Sequence, residues 1–125
     1  MEWKDEAIVL GAKKHGENSA ILSLFTRERG RQNGLVRGAF SKKNRGLLQA
    51  GNKLAVTWRG RLEEHLGSLQ IELLEGNAAN LILEAGKLAA LSTACTMVDY
   101  GFPEGEPHPE LYDTFASLAF ALDHQ

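Results

Sequence analysis

One cysteine, three prolines and, beyond residue 61, a single basic residue are the scarcities that most constrain this 125-residue chain. Cys95 alone cannot form an internal disulfide, and CxxC and HxxxH spacings are absent. A structural zinc site is therefore not expected, and a reducing cytosol suits the chain. No apolar run approaches the roughly 20 residues that span a bilayer, and acids interrupt MEWKDEAIVL where a secretory signal needs an apolar core. The expectation is a cytoplasmic protein with no membrane contact. GxxxxGK[ST] and GxGxxG are also missing, so the glycines form no phosphate-cradling loop and no cofactor or metal is anticipated.

What is present is unevenly distributed. Residues 1–61 carry 13 Lys/Arg and 5 Asp/Glu, whereas residues 62–125 carry 1 and 11, although the whole chain sums to −2. Segregation on this scale points to a polyanion contact on the basic half, because solubility alone would not require it. The densest stretch is TRERGRQNGLVRGAFSKKNR (26–45), with seven cations against Glu28.

The apolar pattern changes near the same boundary. EAIVLGA (6–12), SAILSLFT (19–26), RQNGLVRG (31–38), KLAVTWR (53–59) and LGSLQIELL (66–74) are short, β-rich runs, with clear alternation at Leu54, Val56, Trp58 and at Leu69, Ile71, Leu73. Gly16 and Gly30 stand where hairpin turns need positive φ. Five such strands predict a closed barrel of the OB type over 1–76. After Gly76, Leu81, Ala85, Leu88, Leu91, Cys95 and Val98 recur at helical spacing towards Gly101. FPEGEPHPE (102–110) holds all three prolines and reads as a loop, and Pro109 opens a second helix with a stripe of Leu111, Phe115, Leu118 and Leu122. That stripe stops at Asp123-His124-Gln125 without a glycine cap, so the natural polypeptide is expected to continue. The predicted organisation is thus mainly β then α, a barrel over 1–76 and a helical segment over 77–125 belonging to a larger C-terminal domain.

Catalytic readings find little support. His15, His65, His108 and His124 are scattered, Cys95 sits on an apolar helix face, and Glu63-Glu64 read as a solvated turn. The chain is not expected to be an enzyme. The basic residues are better placed: Arg27, Arg29 and Arg31 around the second turn, Arg37 on the third strand, Lys42, Lys43 and Arg45 in the next connection, and Arg59 and Arg61 at the end of the fourth strand. Cations on the second and third strands of such a barrel and on adjoining loops suit a single-stranded nucleic acid, and the arginine fork matches phosphate. Trp58 alternates in phase with the core. Phe25 and Leu24 point to opposite faces, which leaves one of them open to solvent, and Phe40 is the better candidate for base stacking. Rival readings are a barrel that grips an acidic protein partner and an RNA-binding module with the same charge map.

The residues Gly16-Glu17-Asn18, Thr26-Arg27-Glu28, Gly30-Arg31 and Arg37-Gly38-Ala39 resemble, in order and spacing, the N-terminal domain of the RecO family of bacterial recombination mediators. The similarity runs from about Trp3 to Leu74 and more loosely through PHP at 107–109. The resemblance implies a barrel followed by a helical domain, and binding to single- and double-stranded DNA. It also implies strand annealing and cooperation with RecR and the single-strand DNA-binding protein in loading a recombinase. It places DNA contacts at Arg31 and Arg37, with Arg27 and Arg29 beside them. The family's C-terminal region, with its cysteine zinc module and its site for the single-strand binding protein tail, has no counterpart in these 125 residues.

Overall fold

The computed structural model describes residues 1–62, 66–76 and 85–123. The expectations placed on Glu63, Glu64, His65, Leu81 and His124, and on the side chains of Ala85, Leu88 and Leu122, lie outside the described residues.

Each alternating run becomes a strand: β1 (Glu2–His15), β2 (Ser19–Thr26), β3 (Gly30–Arg37), β4 (Lys53–Arg59) and β5 (Gly67–Glu75). They close in the order β1-β2-β3-β5-β4, the OB barrel predicted from the pattern. β1 is twice the length that its apolar run suggested because it serves two neighbours. Glu2 to Ile8 pair with β4, and Ala7 to His15 pair with β2, with a register shift between Val9 and Gly11 where the strand passes from one to the other. Closure between β3 and β5 is brief, a parallel contact at Gly34↔Gly67 and Leu35↔Ser68. Gly16 and Gly30 adopt φ of 71° and 69°, so the turns have the left-handed residue that glycine supplies without steric cost.

Side chains leave the barrel wall in both directions, and both are buried. Inside lie Val9, Leu22, Leu24, Val36, Leu54, Val56, Trp58 and Leu69, which confirms Trp58 as a core residue. Outside, Ile8, Leu10 and Phe25 form a second core with Leu91, Cys95 and Val98 of a long helix and Tyr112, Phe115 and Ala119 of the next. These helices are α2 (Ala85–Gly101) and α3 (Pro109–Asp123); α1 (Lys42–Arg45) is a single turn between β3 and β4, capped by the Ser41 hydroxyl and followed by a 3₁₀ turn at Gly46–Leu48. Pro109 opens α3 as expected, since its missing N–H needs no partner at a first helical position.

Two expectations are corrected by this second core. Leu24 and Phe25 do face opposite ways, yet neither is exposed: Leu24 fills the barrel and Phe25 is covered by the helices. The buried face of α3 is Tyr112, Phe115 and Ala119, while Leu111 and Leu118 of the anticipated stripe are 39% and 49% exposed. The cause is aromatic. Phe102, Tyr112 and Phe115 surround Phe25 at centroid separations of 5.9, 5.6 and 6.1 Å, the last two edge-on, and this rotates α3 to favour Tyr112 over Leu111. Burying a phenylalanine stabilises the fold by about 1.5–3 kcal/mol, so several rings together fix the helix orientation.

Candidate nucleic-acid interface

The β2–β3 hairpin is locked by Thr26, a fully buried threonine. Its hydroxyl donates to the Gly30 carbonyl at 2.7 Å and accepts from the Arg29 N–H at 3.1 Å. Asp5 of β1 accepts the Glu28 N–H at 2.8 Å, and burial raises its carboxyl above the ordinary range against the pull of that bond and of the Glu6 N–H. The turn is therefore rigid, and it aims its arginines in fixed directions.

Those directions lead into the molecule. Arg27 donates from Nε and Nη2 to the two carboxylate oxygens of Asp113 at 2.9 and 3.1 Å, a two-pronged pairing with α3. The hydrogen bond from Arg27 holds the Asp113 carboxyl below its ordinary range, and the same bond pushes the guanidinium higher. Arg31 donates from Nε to the Phe102 carbonyl at 2.9 Å and lies 3.4 Å from Asp99, which also receives the Ser23 hydroxyl at 2.5 Å. Only 18% of the Arg31 side chain is exposed. Arg29 places its guanidinium 5.1 Å from the Trp3 ring centroid. Arg59 pairs with Glu2 across the β1–β4 ladder, at the opposite end of β1 from Ser19 and Arg37. Four of the predicted contact residues, Arg27, Arg29, Arg31 and Arg59, thus make contacts within the molecule.

The remaining cations face outward. Arg31 and Arg37 occupy the same face of β3, about 20 Å apart at the rise of a strand, and only the first lies against α2 and its following loop. Arg37, Lys42, Lys43 and Arg45 are exposed, and no ion pair engages them among the described residues. Phe40 is 43% exposed, with the Lys14 ammonium 5.8 Å from its ring centroid. On one side of α1, Arg37, Lys43, Asn44 and Gln70 line a recess of about 610 Å³ floored by Val36, Leu69 and Ile71; on the other, Lys14, Phe40 and Arg45 line one of about 370 Å³. Asn52 steadies the connection by donating to the Gly46 and Leu47 carbonyls at 3.1 and 3.4 Å. Arg61 is exposed beyond the end of β4, with Arg59 and away from Arg37.

The single basic face anticipated from the sequence is therefore two: a hairpin group turned inward and a connection group turned outward. Lys13 and Lys14, overlooked in the sequence because they close β1, belong to the same end as the second group. Asp99 was overlooked as well, although it follows Cys95 by one helical turn and so had to fall beside the buried face of α2. Among the described residues no group of His, Cys, Asp and Glu is arranged to hold a metal, and no helix is long and apolar enough to cross a membrane. Burial pushes the Cys95 thiol up to about 12, as befits a core residue.

Comparison with known proteins agrees with this architecture. The family described as "Recombination protein O N terminal" matches residues 1–77. The "DNA repair protein RecO" of Rhodospirillum centenum is 49% identical over 122 residues, covering 98% of this chain and 49% of that relative. The proteins of the same name from Rhodospirillum rubrum and Mesorhizobium japonicum are 44% and 46% identical, again over 98% of this chain and 48% of theirs. The chain thus spans about half the length of the curated relatives it matches. With the barrel closed, the hairpin signature in place and the match extending through both helices, the chain belongs to the RecO family and contains that family's N-terminal domain.

Proposed function

We propose that this chain is a non-catalytic DNA-binding module of recombinational repair, and that it holds the strand through Arg37, Phe40, Lys42, Lys43 and Arg45, joined by Lys13 and Lys14. The observation that carries this reading is that exposed cations of β1, β3 and the α1 connection share one end of the barrel, Arg37 and Lys43 lining one recess there and Lys14 and Arg45 lining another with the exposed ring of Phe40. Lysine and arginine neutralise phosphates without regard to sequence, and an aromatic face accepts any base. The repair role comes from the relatives' name, and it suits a cytoplasmic protein. In this reading residues 1–76 form the nucleic-acid unit, and 77–125 form the start of a larger helical domain that braces it.

The mechanism is electrostatic. Two strands repel one another through their phosphates, and a basic surface that screens both lowers the barrier to annealing. No covalent step is required of the protein. Cooperation with RecR and with the single-strand DNA-binding protein, implied by the family resemblance, would belong to the assembled full-length mediator. Within this module Arg27 and Arg31 brace the helices, while Arg29, Arg59 and Arg61 lie at the other end of the barrel.

The deciding experiment is salt-titrated fluorescence anisotropy with labelled single-stranded DNA, duplex DNA and RNA. Arg37→Glu combined with Lys43→Glu is expected to abolish binding while the circular-dichroism spectrum stays unchanged. Unaltered affinity would remove the connection patch from consideration, and preferential binding of RNA would redirect the reading to an RNA module.

A further inference from the structure

At the barrel mouth beside the hairpin, Trp58, Trp3 and Arg29 form a three-layer stack. The indoles lie 5.8 Å apart and 8° from parallel, and the Arg29 guanidinium sits 5.1 Å from the outer ring. Trp58 is held against bare backbone: a Cβ added at Gly67 would come within 2.2 Å of its ring and one at Gly60 within 2.6 Å. The stack is thus anchored from below and cannot yield inward. Above it opens a recess of about 610 Å³, lined by Trp3, Glu28, Arg29, Gln32, Glu104 and Pro107. Trp3 is only 6% exposed with the guanidinium over its outer face.

We propose that this recess is a nucleobase pocket, in which a base of a bound strand stacks on Trp3 in place of the Arg29 guanidinium. The inference rests on the DNA-binding reading above and adds a second subsite at the far end of the barrel. A guanidinium and a nucleobase are both flat, with hydrogen-bonding groups around the edge, so an indole face that accepts one accepts the other. The rim selects between base and backbone. Glu28 and Glu104 repel phosphate but accept hydrogen bonds from exocyclic amino groups, which cytosine and adenine carry and thymine lacks. Gln32, whose Nε2 donates to the Arg29 carbonyl at 3.0 Å, places an amide at the same edge. The displaced Arg29 stays on the rigid hairpin, where it meets a phosphate of the same strand.

The chain's two tryptophans are both in this stack, so tryptophan emission, excited selectively over tyrosine, reports on it alone. The test titrates the intact chain with a labelled deoxycytidine oligonucleotide, with an abasic phosphodiester of equal length, and with free deoxycytidine. Tryptophan emission is followed together with anisotropy. The expected result is an anisotropy rise with both oligomers, but quenching only with the base-bearing one and with free deoxycytidine. Thymidine should quench less. Arg29→Ala, which removes the competing cation, should tighten the apparent affinity for deoxycytidine about two- to fivefold. Binding of the deoxycytidine oligomer without quenching, equal quenching by the abasic chain, or no gain from Arg29→Ala would each overturn the pocket. Quenching by free deoxycytidine with no anisotropy change for either oligomer would uphold the pocket and overturn the DNA-binding reading instead.

Discussion

At the β2–β3 hairpin, Arg27 and Arg31 end on Asp113 and Asp99, while a few residues further along the same stretch Arg37, Lys42, Lys43 and Arg45 end in solvent. The two groups are alike in composition and differ in what the fold lays over them. The hairpin adjoins Phe25, an outward apolar side chain that draws α2 and α3 onto the barrel, and those helices bring acids with them. Beside the connection the same face of β3 carries Leu35, opposite Ile21, but neither joins the core that the helices cover, and Arg37 stays exposed. Positive charge in a sequence therefore locates a basic surface only after the helices have been packed. At the hairpin it serves cohesion, and at the connection it remains available to a polyanion.

The contrast can be broken most decisively on the outward side. Each phosphate contact on a single strand contributes about 0.7 to the slope of log affinity against log salt, so replacing Arg37, Lys42, Lys43 and Arg45 by alanine should weaken single-strand binding roughly 10²–10³-fold near 0.1 M salt. The thermal midpoint should hold, because none of the four makes an internal ion pair among the described residues. Loss of stability in place of affinity would show that the connection, too, serves the fold.

On the inward side the expected signature is reversed. Arg31→Met should lower unfolding stability by about 2–3 kcal/mol in urea titration, because Asp99 is left partly buried with the Ser23 hydroxyl and the Phe102 carbonyl loses its donor. The affinity of the folded fraction for a single strand should stay within about twofold of the parent, since one contact or none is involved. A large loss of affinity without loss of stability would return Arg31 to the DNA-contacting set.

Phe40→Ala probes the outward group more finely. It should cost about 1 kcal/mol of single-strand affinity, the low end for a stacked base, and leave duplex affinity nearly unchanged because paired bases cannot reach the ring. Equal loss for both ligands would mean that Phe40 shapes the connection and does not stack.

The smallest effect belongs to Arg27 and Asp113, whose paired side chains are both partly open to solvent. Since the Asp113 carboxyl is held below its ordinary value of 3.8, the stability it contributes is present above that value and is lost as the pH falls through its lower value in the folded state. Thermal melts of the parent and of Asp113→Asn should therefore differ slightly near neutral pH and low salt, and converge at acid pH or in high salt. A difference that persists under both conditions would point to packing of α3 in place of charge.

The strands were legible because alternation with period two is a direct imprint of an inside and an outside. Leu54, Val56 and Trp58 show it, and the structure places all three in the barrel. The turns were legible from Gly16 and Gly30, whose positive φ other residues resist. The face of α2 through Leu91, Cys95 and Val98 followed from helical spacing. On α3 the same rule failed, because Leu111 and Tyr112 are adjacent, both are apolar enough to be buried, and spacing cannot rank them. Phe25 ranks them, from a strand more than eighty residues earlier. The candidate site divides in the same way. Arg37, Phe40 and the connection lysines were recognisable from composition, whereas the engagement of Arg27 and Arg31 depended on acids far away in the chain.

By itself, then, the sequence determined a five-stranded barrel, its turns, its inner core and the presence of a basic half, since each of these follows from local periodicity, backbone preference or a count of charges. Only the tertiary structure decided which cations remain outside. That choice is set by which outward apolar side chains attract the helices and which acids arrive with them, and it is fixed by contacts between residues that no local pattern connects.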